Sequence, residues 1–140
     1  MELEYAILAD RADFTSDGAL VLFGGDMDSI AVTEFPQIVQ ATLVVRLLLG
    51  PEEEPSGHTF GLHCTGAHGQ RTPIVENRPI RAGRNLDEPD QPSGTRLILG
   101  LTFVAAAAGL HVFHLLVDGC EVKRIRLRVK HASKQDAEVK

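Results

Sequence analysis

The chain is poor in the residues that usually declare a function. It has two cysteines, no tryptophan and a single tyrosine, Tyr5. Two cysteines, Cys64 and Cys120, make too small a set for the disulfide framework of a secreted domain, so both are expected to be reduced thiols. The shortage of aromatics removes the stacking platforms on which nucleic-acid and sugar binding normally rest. No run approaches the roughly 20 apolar residues that span a bilayer. The longest candidate, Leu97 to Leu116, is broken by glycines, Thr102, His111 and His114. The opening Met1-Glu2-Leu3-Glu4-Tyr5 carries acids where a secretory signal has a basic start and a long apolar run. These features lead to the expectation of a cytoplasmic protein with no membrane insertion. There is no Gly-x-Ser-x-Gly elbow, and Gly24-Gly25 lacks the strand–loop–helix setting of a phosphate-binding loop.

What the chain does have is the material of one ordinary domain. At 140 residues, 44% hydrophobic and 24% charged, it can bury a core without staples. Its net charge of −5 disfavours a general attraction to phosphate backbones.

Short apolar stretches recur at intervals near ten residues, separated by turn clusters, which is the pattern of a sandwich or barrel. Strands are predicted over Glu4–Asp10, Ala19–Phe23, Ser29–Thr33, Gln40–Leu49, His58–Thr65, Arg71–Asn77, Thr95–Val104, Leu110–Val117 and Cys120–Val129. Asp118-Gly119 is the strongest turn signal, because a two-residue primed turn needs positive φ at both positions. Pro73 places Arg71–Asn77 at a sheet edge. The stretch Arg78–Gly94 reads as a long surface connection, and Ala105–Ala108 as a turn with at most one helical turn. The fold expected is an all-β antiparallel β-sandwich of about seven to nine strands, with a closed β-barrel as the alternative. Residues 1–130 form the domain and residues 131–140 a polar tail.

Several segments are shared with a known group of proteins. The runs Ala6-Ile7-Leu8-Ala9-Asp10, Leu22-Phe23-Gly24-Gly25-Asp26, Phe35-Pro36, Leu43-Val44-Val45-Arg46 and Leu116-Val117-Asp118-Gly119 resemble a family of small uncharacterised bacterial β-sandwich proteins, a domain of unknown function. The resemblance spans about residues 4 to 129, and the Ala105–Ala108 run departs from its more polar turn. Its motifs are turns, strand ends and core positions, so it implies a fold and no site.

Candidate site residues were weighed against plainer readings. His58, His63, Cys64 and His68 are possible zinc ligands by type, and His58, Cys64 and His68 make the metal candidate. Alternation along a strand puts His58 and Cys64 on one face and His63 on the other, which argues against a tetrahedral site. His111 and His114 face opposite sides for the same reason. Asp10, Asp26, Asp28 and Glu34 fall at strand ends, where turn capping explains them more simply than calcium binding. Arg124, Arg126 and Arg128 share one face of the last strand, flanked by Lys123 and Lys130. They suit phosphates or an acidic partner, or a solvated face paired with the Glu52–Glu54 or Asp87–Asp90 loops.

No convergent reactive set emerges, and no cofactor is called for. The expectation is a non-enzymatic interaction module that binds a protein partner or self-associates as a homo-oligomer, without nucleic acid. The Gln40–Leu49 run, apolar on both faces, is the expected self-association surface. The alternative is a metal- or small-ligand-binding protein built on His58, Cys64 and His68.

Overall fold

A computed structural model of the chain describes residues 1–132; residues 133–140 lie outside the described part. Ten strands follow one another: β1 (Glu2–Ala9), β2 (Arg11–Phe14), β3 (Leu20–Phe23), β4 (Ser29–Val32), β5 (Gln37–Leu49), β6 (Thr59–Thr65), β7 (Arg71–Pro79), β8 (Ser93–Ala105), β9 (Gly109–Val117) and β10 (Cys120–His131). There is no helix among the described residues, and Ala106–Ala108 is a bend rather than a helical turn.

The strands form a three-stranded sheet, β1-β5-β8, a five-stranded sheet, β4-β10-β9-β6-β7, and the hairpin β2-β3. The two larger sheets share one core, so the fold is an all-β sandwich and not a closed barrel. Alternation dictates this layering. In β5 the odd positions Leu43, Val45 and Leu47 face inward. They meet Phe60 and Leu62 of β6, Phe113 and Leu115 of β9, and Leu127 and Val129 of β10. Phe103 and Phe113 join the sheets edge to face, 5.2 Å apart at 80°.

Several expectations are corrected. The sheets are not wholly antiparallel, because β4 pairs with β10 in parallel, Ser29 opposite Arg128 through Val32 opposite His131. A parallel neighbour needs a long crossover, and here nearly the whole domain lies between the two strands. That pairing carries β10 through His131, and Ala132 N donates to Val32 O at 2.7 Å. The rest of the expected tail lies outside the described residues. The count among the described residues reaches ten because Arg11–Phe14, beyond the expected Glu4–Asp10 stretch, forms an additional strand that pairs with β3. The surface connection is also shorter than Arg78–Gly94. β7 runs to Pro79, and Ile80 is buried in the core, its N–H donating to His58 O at 2.9 Å.

The largest correction concerns Gln40–Leu49. Its outward positions do not form a free surface. β5 is the middle strand of its sheet, and Ile7, Val44 and Ile98 make a cross-strand row on the outer face. The β2–β3 hairpin packs over that face. Arg96 lies 5.1 Å from the Phe14 ring centre and donates to Gly18 O at 3.3 Å. Val44 is therefore fully buried, whereas Ile38, on the same face beyond the hairpin, is 65% exposed.

The Asp118-Gly119 turn forms as expected. Asp118 and Gly119 have φ of 53° and 81°, the primed geometry that joins β9 to β10. Gly24 brings the β3–β4 corner against β1, where a Cβ would stand 3.1 Å from Asp10 Cβ.

Two substitutions on one face of β5 test this arrangement. Val44→Asp buries an unpaired charge and is expected to cost about 3 kcal/mol or more. Ile38→Asp is expected to stay within about 0.5 kcal/mol of the parent. Urea midpoints measure both, and equal midpoints for the two variants would contradict the covered face.

Candidate functional site

The sandwich presents three chemically distinct places, and the metal candidate is spread across two of them. His58 stands just before β6, at the end of the molecule where the β9–β10 turn comes round. Its Nδ1–H donates to Asp118 Oδ2 at 2.8 Å and its Nε2–H to Glu54 O at 2.7 Å. Carboxylate and carbonyl oxygens only accept, so both ring nitrogens carry protons and the ring is an imidazolium. The hydrogen bond to Asp118 raises the His58 pKa, burial opposes it, and the Glu54 carbonyl adds to the rise. Burial pushes the Asp118 carboxyl up, but His58 and the Thr59 N–H, donated at 3.0 Å, hold it below its ordinary value. While both bonds are made, neither ring nitrogen of His58 is free, and the residue is half-buried.

Cys64 lies six residues along the strand, roughly 20 Å away, and His68 is exposed in the β6–β7 turn. The three metal candidates do not converge. Among the described residues no three His, Cys, Asp or Glu side chains gather into a metal-binding group, and Asp10, Asp26, Asp28 and Glu34 are no exception. Cys64 is buried, and burial pushes its thiol up to about 11, so near neutrality it is a thiol rather than a nucleophilic thiolate. Cys120 is exposed, and neither cysteine is in a disulfide.

The outer face of the five-stranded sheet holds a network that spacing along the sequence did not reveal. Thr65 of β6, His114 of β9, and Glu121 and Arg124 of β10 form one chain of hydrogen bonds. Thr65 Oγ1 donates to His114 Nε2 at 2.7 Å, and His114 Nδ1 donates to Glu121 Oε1. Arg124 donates to Glu121 Oε2 from Nε and Nη2, each at 3.2 Å. The Arg124 bond, followed by that of His114, lowers the Glu121 pKa. Hydroxyl, imidazole and carboxylate here have the connectivity of a nucleophilic triad. They lie on a sheet face and do not line the cleft between β7 and β8. The network ties β6, β9 and β10 together across the sheet.

The same face carries the basic stripe. Residues paired across a ladder share a face. Arg124, Arg126 and Arg128 sit opposite His114, Val112 and Leu110, and Lys130 sits opposite Ala31. Successive members are roughly 7 Å apart along the strand. Arg71 joins the row from β7, through Thr65 and Val112 to Arg126. Its Nε–H donates to His63 Nδ1 at 2.9 Å, on the same face. The expected pairing with the Glu52–Glu54 or Asp87–Asp90 loops does not occur. Arg124 is tied to Glu121, and Arg126, Arg128 and Lys130 have no ion pair among the described residues.

The third place is a cleft of about 480 Å³ between β7 and β8, the neighbouring edges of the two sheets. Cys64, His68, Thr72, Ile74, Phe103 and His111 are among its walls. It holds two of the metal candidates but not His58, and it adds His111. That ring points into the sandwich beside Phe103, with centroids 5.7 Å apart, and is 1% exposed. His111 and His114 do face opposite sides of β9, as alternation requires.

Fold and surface together describe an all-β domain of two larger sheets and a hairpin, with a basic outer face and an edge cleft. Residues 4–130 match the family of unknown function DUF6941, and the chain belongs to that family. No curated protein matches the chain.

The His58–Asp118 pair makes a pH prediction. A raised histidine pKa stabilises the fold fully below the unfolded value near 6.5, and that contribution fades as pH rises through the folded value. The lowered Asp118 pKa stabilises above about 3.8 and is lost as pH falls through its folded value. The stability gap between the parent and His58→Gln is therefore expected to be widest between about pH 5 and 6. It should shrink steadily towards pH 9. Thermal melts across that range provide the measurement, and a gap that grows with pH would reverse the assignment.

Proposed function

We propose that this domain is a non-enzymatic interaction module that docks a carboxylate-rich protein partner on the outer face of its five-stranded sheet. The carrying observation is the stripe Arg126, Arg128 and Lys130, free of ion pairs among the described residues, in a chain of net charge −5. Concentrating cations on one face of an acidic protein produces a dipolar surface that steers and orients an acidic partner. Arginine forks suit carboxylates in pairs, and the Glu121–Arg124 contact holds one guanidinium in place beside the free ones. Leu110, Val112 and Leu116 between the charges supply apolar area without a stacking ring, which favours a protein over a nucleic acid. The self-associating version loses its expected surface, because Val44 is covered. Unpaired cysteines fit a reducing, cytoplasmic setting.

The test is titration of a fluorescent peptide of about eight glutamates at low salt, since exposed charges act within a Debye length of about 10 Å at 0.1 M. Saturable binding is expected, with Kd weakened at least tenfold in the double variant Arg126→Glu, Arg128→Glu, and weakened steeply by added salt. Equal binding by the parent and the double variant would overturn the proposal. So would tighter binding of a single-stranded oligonucleotide of the same charge.

A further inference from the structure

The charges of this chain are sorted along the length of the sandwich. Two acidic loops meet at one end. His58 donates to Glu54 O and to Asp118, which sets the β5–β6 loop beside the β9–β10 turn. Arg84 Nη1 donates to Pro51 O at 2.7 Å, and Leu86 and Pro89 line a hollow together with Leu49 and Pro51. The β7–β8 connection is thereby held at the same end, where Leu86, Asp87, Glu88 and Asp90 are exposed. Strand β10 starts from that end and carries its cations away from it. A rise of about 3.3 Å per residue puts Lys130 roughly 30 Å from Cys120.

Neither set of charges is neutralised within the chain. Asp87, Glu88 and Asp90 make no ion pair among the described residues, and neither do Arg126, Arg128 and Lys130. Asp28 accepts the Arg128 N–H on its carbonyl at 2.9 Å, and its carboxylate makes no ion pair either. Distance keeps the acidic loop from the stripe of its own chain, but not from that of another. On the reading of that face as a docking surface for carboxylates, we propose that its occupant is a second copy of this chain, whose 86–90 loop seats on Arg126, Arg128 and Lys130.

The two surfaces are complementary. Asp87, Glu88 and Asp90 present carboxylates to arginine forks, which hold them in pairs. Leu86 is 88% exposed, and Leu110, opposite Arg128 on the ladder, is 37% exposed, so each surface offers an apolar side chain beside its charges. The loop is already formed before docking. Asn85 Oδ1 accepts the Glu88 N–H and Glu88 O accepts the Gln91 N–H, both at 2.9 Å. A formed loop loses less conformational freedom on binding. Loop and stripe are different patches, so the contact is head-to-tail, a geometry that closes into a ring or grows as an open chain.

The experiment is sedimentation of the full chain over a concentration series, at low and at high salt. One variant, Asp87→Asn, Glu88→Gln, Asp90→Asn, neutralises the loop. The other, Arg126→Gln, Arg128→Gln, neutralises the stripe. The parent is expected to form species larger than one chain at low salt and to dissociate at high salt, as exposed charges are screened. Each variant alone is expected to associate at least tenfold more weakly. Mixed in equal amounts, the two should form a complex of one chain of each, because the intact loop of one meets the intact stripe of the other and growth stops there. Variants that stay apart when mixed would overturn the proposal, and so would self-association that survives undiminished in either one. A parent that stays monomeric at low salt would also overturn it. If the glutamate peptide still bound that parent, the docking face would stand with a different occupant. If the peptide failed as well, both readings would fall.

Discussion

Strand β5 is paired along both edges, packed along its inner face and covered at Val44 on its outer one, and the rest of the molecule is arranged to meet that demand. Its 13 residues run antiparallel to β1 on one side and to β8 on the other. Leu43, Val45 and Leu47 are 1% exposed or less, and each such side chain contributes about 1.5–3 kcal/mol on burial. Val44 asks for the same protection on the opposite face. The five-stranded sheet satisfies the inward set, and the small β2–β3 hairpin satisfies Val44. The hairpin does not cover the far end of that outer face, where the paired Ile38 and Val104 stay exposed.

That division explains where function can reside. The five-stranded sheet turns Phe60, Phe113 and Leu127 inward, so its outer positions are free to carry charge. Arg126 and Arg128 occupy them without meeting an acid among the described residues. At the sandwich's side, β7 and β8 belong to different sheets and are not hydrogen-bonded to each other. The gap between them is the cleft, and His111 meets it because β9 runs close by inside the core. Charge and cavity are thus separate products of one layering, on different sides of the same strands.

The histidines show how tertiary context decides chemistry for a single residue type. His58 is held doubly donating and charged by Asp118 and Glu54. His114 bridges a hydroxyl and a carboxylate. His111 donates once and leaves an acceptor unmet. His68 stays exposed in a turn. Proximity in sequence grouped His58 with Cys64 and His68, but an extended strand separates by distance what spacing makes look close. The Thr65–His114–Glu121 chain shows the converse, because residues far apart in sequence become neighbours through strand pairing.

Local rules were enough to determine a good deal. Alternation along β6, β9 and β10 separated the two faces of each strand, and it set His111 and His114 on opposite sides of β9. Asp118-Gly119 determined its own turn, because only certain residues tolerate positive φ. Pro73 marked an edge strand, because it cannot donate to a ladder. The arginine stripe on β10 was legible for the same reason of period two. Tertiary structure alone decided which strand lies in the middle of a sheet, that β4 runs parallel to β10, and that the hairpin covers Val44. It alone paired His58 with Asp118 and set β7 beside β8 around His111. Those outcomes depend on contacts between strands distant in the chain, and no pattern confined to one strand encodes its neighbours.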